Sequence, residues 1–318
     1  MSDKDGRAPS GLEGPMKKYE EKREEREELR LQGETRSSKV RSGTEKLLTR
    51  TLSGLFYSVT VLVCIFWGPV PCAVLFCAMA WLCCSEFFRM ARMLGRMPNE
   101  LVGLTAAVAF VACPLLPDTA SAAVFSLLVL ACGVWFVWTA RASISDVAIT
   151  VFGPVYTGFL LSFMMRVRLM EAPGQTVDGP MAAAALLTFG VIASIWMSDA
   201  AAYFVGSRFG RHKMVPKISP HKTWEGFVGG MAGSIFVWVL MWLVGLPCIT
   251  LPLAIVGGLG VGALGVVGDL FESRLKRAAG VKDSGNFIPG HGGMLDRTDS
   301  ILFGSMTAYF ILRLGGLL

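Results

Sequence analysis

The sequence predicts an all-α, polytopic integral membrane protein. Three observations carry that prediction. Hydrophobic residues make up 53% of the 318 positions and charged ones only 17%, with a mean hydropathy of +0.53, far outside soluble globular usage. From residue 51 onward the apolar residues fall into runs near the roughly 20 residues of a helical span, though some, such as 101–116, are short for one and fit a re-entrant or merged segment as well. No run alternates with the period of two that a membrane barrel requires, so the spans are read as helices.

Residues 1–50 form a distinct first segment. The stretch KKYEEKREEREELR mixes both charge signs at close spacing, and the segment holds 13 Lys and Arg against 11 Asp and Glu. With almost nothing to bury, it is expected to be a solvated helix or a disordered cytoplasmic tail. The opening MSDKDGRAPSGLEG lacks the apolar core of a signal peptide, so the first span is expected to do the targeting.

Apolar runs then follow at 51–67, 70–88, 101–116, 120–139, 147–165, 181–206, 224–245, 248–270 and 300–317, giving about nine transmembrane helices. Residues 51–140 hold the N-terminal spans. Residues 141–318 hold the rest, together with two long polar loops, 207–223 and 271–299. With the tail inside, the inner connections carry 14 Lys and Arg, and the outer ones carry only Arg166 and Arg168. That asymmetry obeys the positive-inside rule and places both long loops on the cytoplasmic face of the cell (inner) membrane.

Two sequence features are read as packing. The eight cysteines lie in or beside apolar runs without metal-ligand spacing, as small hydrophobes would. Gly260, Gly262 and Gly265 spell GxGxxG, but inside an apolar helical run rather than at a strand-to-helix turn, so no dinucleotide site is expected. The GxxxG pairs Gly226/Gly230, Gly229/Gly233 and Gly258/Gly262 suit close helix approach, and a homodimer is one use of such spacing.

Acids near or inside spans point to chemistry, because an ionisable group costs a few kcal/mol there. Asp199 interrupts IASIWMSDAAAYFVG, and Asp269 ends the run GALGVVGDLFES. Asp296 and Asp299 stand three apart where the last span begins, on one face of a helix. Carboxylates facing one another across a loop rich in Lys and Arg suit oxygen ligation of Mg²⁺, with substrate phosphates completing the shell. Lys276, Arg277, Lys282 and Arg297 offer compensating charge, and His291 can donate to a phosphate oxygen or move a proton. Gly285, Gly290, Gly292 and Gly293 let backbone N–H groups approach an anion. The other long loop brings Lys213, Lys217, His221 and Lys222 near Thr223 and Glu225. The pattern thus indicates an active site facing the cytoplasm that handles a polyanion, with a divalent metal.

The run from Ser273 to Asp299, S-x-L-K-R-x4-K-D-x-G-x2-I-P-x-H-G-G-M-x-D-R-T-D, resembles the full signature of phosphatidate cytidylyltransferases, also called CDP-diacylglycerol synthases. The segment SDAAAYFVGSRFGRHKMVPKISPHKTWEG, residues 198–226, is similar to that family's upstream region. The resemblance implies a Mg²⁺-dependent reaction of CTP with phosphatidic acid at the bilayer, giving CDP-diacylglycerol and pyrophosphate, with no nucleic-acid partner; a second cation is left open. It implies Asp269, Asp296 and Asp299 as metal-binding and catalytic carboxylates, with Lys276 and His291 beside them. Ser219, Lys222, Thr223, Glu225, Ser273, Arg277, Lys282, Arg297 and Asp199 are then expected around the substrates.

Two other functions compete. A CTP-dependent polyprenol kinase would release CDP rather than pyrophosphate. An ion-coupled transporter would use Asp199 and Asp269 as ion sites, but its internal repeats are not evident and the polar residues gather at one membrane face.

Overall fold

Every expected run is helical through most of its described residues, and helix ends are set by local chemistry. The computed structural model describes residues 51–170, 179–246, 249–285, 287 and 292–315; the expected tail, 1–50, and Cys248 lie outside the described residues. Residues 54–318 form one unit. The helices are α1 (Thr51–Trp67), α2 (Pro69–Met93), α3 (Glu100–Ala112), α4 (Ala120–Trp138), α5 (Ile144–Pro154) and α6 (Leu160–Arg168). After them come α7 (Gly179–Phe209), α8 (Trp224–Leu243), α9 (Leu251–Ala278) and α10 (Leu295–Leu314). Pro69 opens α2, while Asn99, Ser143, Thr223 and Thr250 cap α3, α5, α8 and α9 through their side-chain oxygens.

Six of these segments among the described residues are long and apolar enough to cross a membrane, with α5 and α6 counted as one. The difference from the expected count lies in α1 and α3, which are shorter, and in α10, whose ends carry Asp296, Arg297, Asp299 and Arg313. Exposed Phe56, Trp67, Trp138 and Val137 give the outer surface the apolar character that lipid requires.

One of the two long loops is shorter and more regular than its composition suggests. Helix α7 runs on to Phe209, and the remainder folds as an antiparallel hairpin, β1 (Lys213–Val215) with β2 (Ser219–Thr223). Lys213 pairs with Thr223 and Val215 with Ser219, and Ile218 N–H closes the turn on the Val215 carbonyl at 3.1 Å.

The GxxxG glycines are used within the chain. A Cβ on Gly226 would meet the Ala202 carbonyl at 2.8 Å, and one on Gly230 the Ser198 carbonyl at 3.0 Å, so α8 lies tight on α7. Gly258 and Gly262 face Ile235 and Ser234, seating α9 on α8. The spacing that suggested a homodimer is therefore taken up by intramolecular seams. The GxGxxG residues likewise lie inside α9, as helix rather than turn.

Between α5 and α6 the chain widens into a π-turn at Val155–Phe159, directly after Pro154, which has no N–H to donate. The turn swings Tyr156 into the core against Phe271, its ring centroid 5.0 Å away. The ends of the bundle differ in chemistry. At one end Met97 N–H bonds the Asp146 carboxylate at 2.8 Å and Arg89 reaches the Ser284 carbonyl. At the other, Arg166 reaches Ser121 at 2.8 Å and buried Arg168 the Ile65 carbonyl at 3.0 Å.

Candidate active site

The loop between α9 and α10 is organised by a carboxylate from far away in sequence. Glu86, buried on α2, accepts from the backbone N–H groups of Met294 and Leu295, each at 2.9 Å, and from Ser284 Oγ at 2.7 Å. Gly285 and Gly293 lie flat against that carboxylate, where a Cβ on either would collide with it. Gly292 adopts φ 84°, a left-handed conformation that favours glycine. Of the four glycines expected to present N–H groups to a phosphate, Gly293 donates to Asp296 instead, and Gly285 and Gly293 make room for the Glu86 carboxylate. Asp296 does similar work: Oδ2 accepts from Ser284 N–H at 3.0 Å and Gly293 N–H at 2.8 Å, and Oδ1 from Lys276 Nζ at 2.7 Å. Burial alone would raise the Asp296 carboxyl, but Lys276 and the Gly293 N–H hold it below the usual carboxylate range.

Lys276 also pairs with fully buried Glu272 one turn earlier, so it sits between two carboxylates. Earlier on the same face of α9, Lys222 Nζ meets Asp269 Oδ2 at 2.6 Å, and Ser273 Oγ donates to Asp269 Oδ1 at 3.2 Å. Gly268 lets α10 approach α9 here, because its missing Cβ leaves room for the backbone of Asp299. Asp199, Asp269 and Asp299 thereby come within electrostatic reach of one another from α7, α9 and α10.

Two cavities open beside these acids, and Asp199 lines both. One, of about 340 Å³, lies between α1, α7 and α10 and is lined by Tyr57, Trp196, Asp199, Asp296, Arg297 and Asp299 among others. The other, of about 560 Å³, lies between α7, the hairpin, α8 and α9, with Lys213, His221, Lys222, Thr223, Asp199 and Asp269 on its walls.

Most of the expected residues therefore gather in one region, and some stand apart from its cavities. Ser219 is a pairing position of the hairpin. Glu225 accepts from the N–H groups of Arg211 and His212 and pairs with His212 Nδ1 at 2.6 Å, tying α8 to the hairpin entry. Arg277 is exposed and bonds the Val281 carbonyl at 3.2 Å, and Lys282 is exposed in the turn after α9. His291 and Gly290 lie outside the described residues. Tyr57, Glu86, Arg89 and Glu272 were not foreseen. For the two glutamates the signal was present, since each is an acid inside or beside an apolar run.

The donor set suits a hard divalent cation. Five carboxylates, Asp199, Asp269, Glu272, Asp296 and Asp299, share the region with three cationic side chains, Lys222, Lys276 and Arg297. Carboxylate oxygens are the ligands that Mg²⁺ takes. Among the described residues no three acids converge on one point, and the ammonium groups of Lys222 and Lys276 stand against Asp269 and Asp296.

Residues 48–314 match the cytidylyltransferase family. The phosphatidate cytidylyltransferase of Bacillus subtilis is 33% identical over 278 residues, covering 83% of this chain and 97% of its own. The enzyme of the same name from Synechocystis is 34% identical over 251 residues, covering 72% of this chain and 84% of its own. That of Thermotoga maritima is 38% identical over 165 residues, 50% of this chain and 57% of its own.

Proposed function

The chain belongs to the cytidylyltransferase family, and we infer that it is an enzyme that joins CTP to phosphatidic acid, giving CDP-diacylglycerol and pyrophosphate. It is a nucleotidyltransferase of phospholipid biosynthesis, carried in a membrane by its apolar helices. The observation that carries this reading is the match over residues 48–314, which contains every side chain of the acid cluster and both cavities.

In the reaction an oxygen of the lipid phosphate forms a bond to the α-phosphorus of CTP. The bond from that phosphorus to the bridging oxygen breaks, and pyrophosphate leaves with the electron pair. Three anionic groups must be brought together, so the protein has to offset their repulsion and stabilise charge on the leaving group. Asp269, Asp296 and Asp299 are the proposed ligands of Mg²⁺, which when bound would neutralise phosphate charge and polarise a phosphoryl oxygen. Lys222 and Lys276, released from their carboxylates, would turn to phosphate oxygens, and Arg297 and His291 would face the same charge.

The proposed site faces the cytoplasm of the cell membrane, with the N-terminus on the same side. The bias of basic residues toward inner loops supports this, as does the gathering of the α2 end, the α5 start and the α9–α10 loop at one end of the bundle. The test is to incubate purified protein in detergent with CTP, phosphatidic acid and Mg²⁺ and follow both products. Equal amounts of CDP-diacylglycerol and pyrophosphate, abolished by EDTA, are expected; CDP with a newly phosphorylated lipid would overturn the assignment.

A further inference from the structure

We propose that the two cavities hold one substrate each and that Asp199 marks their junction: the cavity between α1, α7 and α10 takes the phosphate end of the phosphatidate, and the cavity beside the hairpin takes the triphosphate of CTP. The proposal rests on the reaction assigned above and adds which residues receive which substrate.

The smaller cavity has the chemistry of an amphiphile. Ile195, Trp196 and Ile301 line it beside Asp199, Arg297 and Asp299, so an apolar wall meets a charged one within about 340 Å³. Tyr57 lines this cavity, and its hydroxyl is buried without a hydrogen-bond partner among the described residues. A buried phenol left unpaired is unfavourable by roughly 1–3 kcal/mol, and a phosphate oxygen is the acceptor that would relieve it beside the Arg297 charge. On the outer side of α1, Phe56 is 75% exposed and Val59 48%, which makes this helix border lipid. Acyl chains therefore have apolar surface to follow away from the phosphate.

The larger cavity has a different lining. Lys213, His221 and Lys222 come from the hairpin, whose polar strands lie outside the apolar helices. Gly206, Gly210 and Gly226 add backbone without side-chain bulk. A triphosphate carries more charge than a phosphomonoester, and it meets more cationic side chains here. The two cavities reach the acids from different sides. An in-line displacement needs that arrangement, with the attacking oxygen entering opposite the departing pyrophosphate.

Steady-state kinetics in mixed micelles, varying each substrate at saturating levels of the other, test the assignment. Tyr57→Phe is expected to raise the KM for phosphatidate by about ten- to hundredfold with little change for CTP, the scale of one hydrogen bond to a charged group. Ser58→Trp, which crowds the same cavity while leaving every acid in the sequence, should do the same by steric exclusion, and Lys213→Ala should instead raise the KM for CTP. A normal KM for CTP in the α1 variants doubles as evidence that they are folded. Elevated KM for CTP in the α1 variants, or unchanged KM for both substrates in the Ser58→Trp protein, would overturn the proposal. Failure of the wild-type protein to form CDP-diacylglycerol would overturn the underlying reaction instead, and the control shows that before any variant is compared.

Discussion

The carboxylate of Glu86 receives the backbone N–H of Leu295 at 2.9 Å across 209 positions of chain. This contact places an anion at the start of α10, where the helix dipole and unpaired N–H groups favour one. It also fixes the height at which α10 begins, and therefore the positions of Asp296 and Asp299. The glycines of the signature serve the contact: Gly285 and Gly293 give the Glu86 carboxylate its approach.

Glu86→Gln should therefore loosen the loop rather than remove a reacting group. The amide retains one acceptor oxygen and turns an NH₂ toward N–H donors. Loss of about 2 kcal/mol or more is expected, the scale of hydrogen bonds to a buried charged acceptor. Thermal unfolding in detergent checks this, and a melting temperature equal to that of the wild type would remove the clamp from the account.

The helices were legible because hydropathy and bilayer thickness leave few alternatives: each apolar run became a helix. The pairings between helices were not, since nothing local tells Lys222 to face Asp269 or Lys276 to face Asp296. Composition also misjudged two segments. The hairpin at 213–223 reads as irregular because its strands are short and carry Pro, His and Lys. The glycines of 285–293 read as an anion site, but Gly285 and Gly293 serve instead to admit the Glu86 carboxylate from α2. Glu86 could have been found by the rule that singled out Asp199 and Asp269, applied to the acid in CCSEFFRM.

Asp299 has a different fate in the same helix. Its Oδ1 accepts the Ser300 N–H at 2.7 Å, and it lines the smaller cavity. Asp299→Asn keeps that acceptor and removes the charge. Activity should fall by at least about two orders of magnitude, the usual scale for a lost electrostatic element, with the protein still inserted and monodisperse. Near-normal turnover in such a protein would exclude Asp299 from the charge that the reaction uses.

In the proposed site Lys222 would compete with Mg²⁺ for Asp269. Lys222→Gln should then bind Mg²⁺ more tightly in the absence of substrates, because Asp269 is no longer neutralised at 2.6 Å. The same change should raise the KM for CTP, because an ammonium group that could meet phosphate is gone. Calorimetric titration of Mg²⁺ separates the two effects. Weaker metal binding in the variant would mean that Lys222 organises Asp269 rather than competing for it.

The approach of α9 to α10 sets how closely Asp269 and Asp299 can share a charge. Gly268 is the contact point, since a Cβ there would press on the Asp299 carbonyl carbon at 3.2 Å and the Phe303 ring at 3.2 Å, with the carbonyl oxygen nearer still. Alanine has the better helix propensity, so at a position without this contact the change would stabilise by up to about 1 kcal/mol. Here overpacking opposes it at about 1–3 kcal/mol, and the backbone that must yield carries a site carboxylate. Gly268→Ala is thus expected to lower the melting temperature and to lower kcat by more than the loss of folded protein explains. Gly280→Ala serves as the comparison: its φ of 72° makes alanine strained there, but no atom lies within contact of its Cβ and no acid depends on it. If both variants lost stability and activity in the same proportion, the spacing between α9 and α10 would be a matter of stability alone.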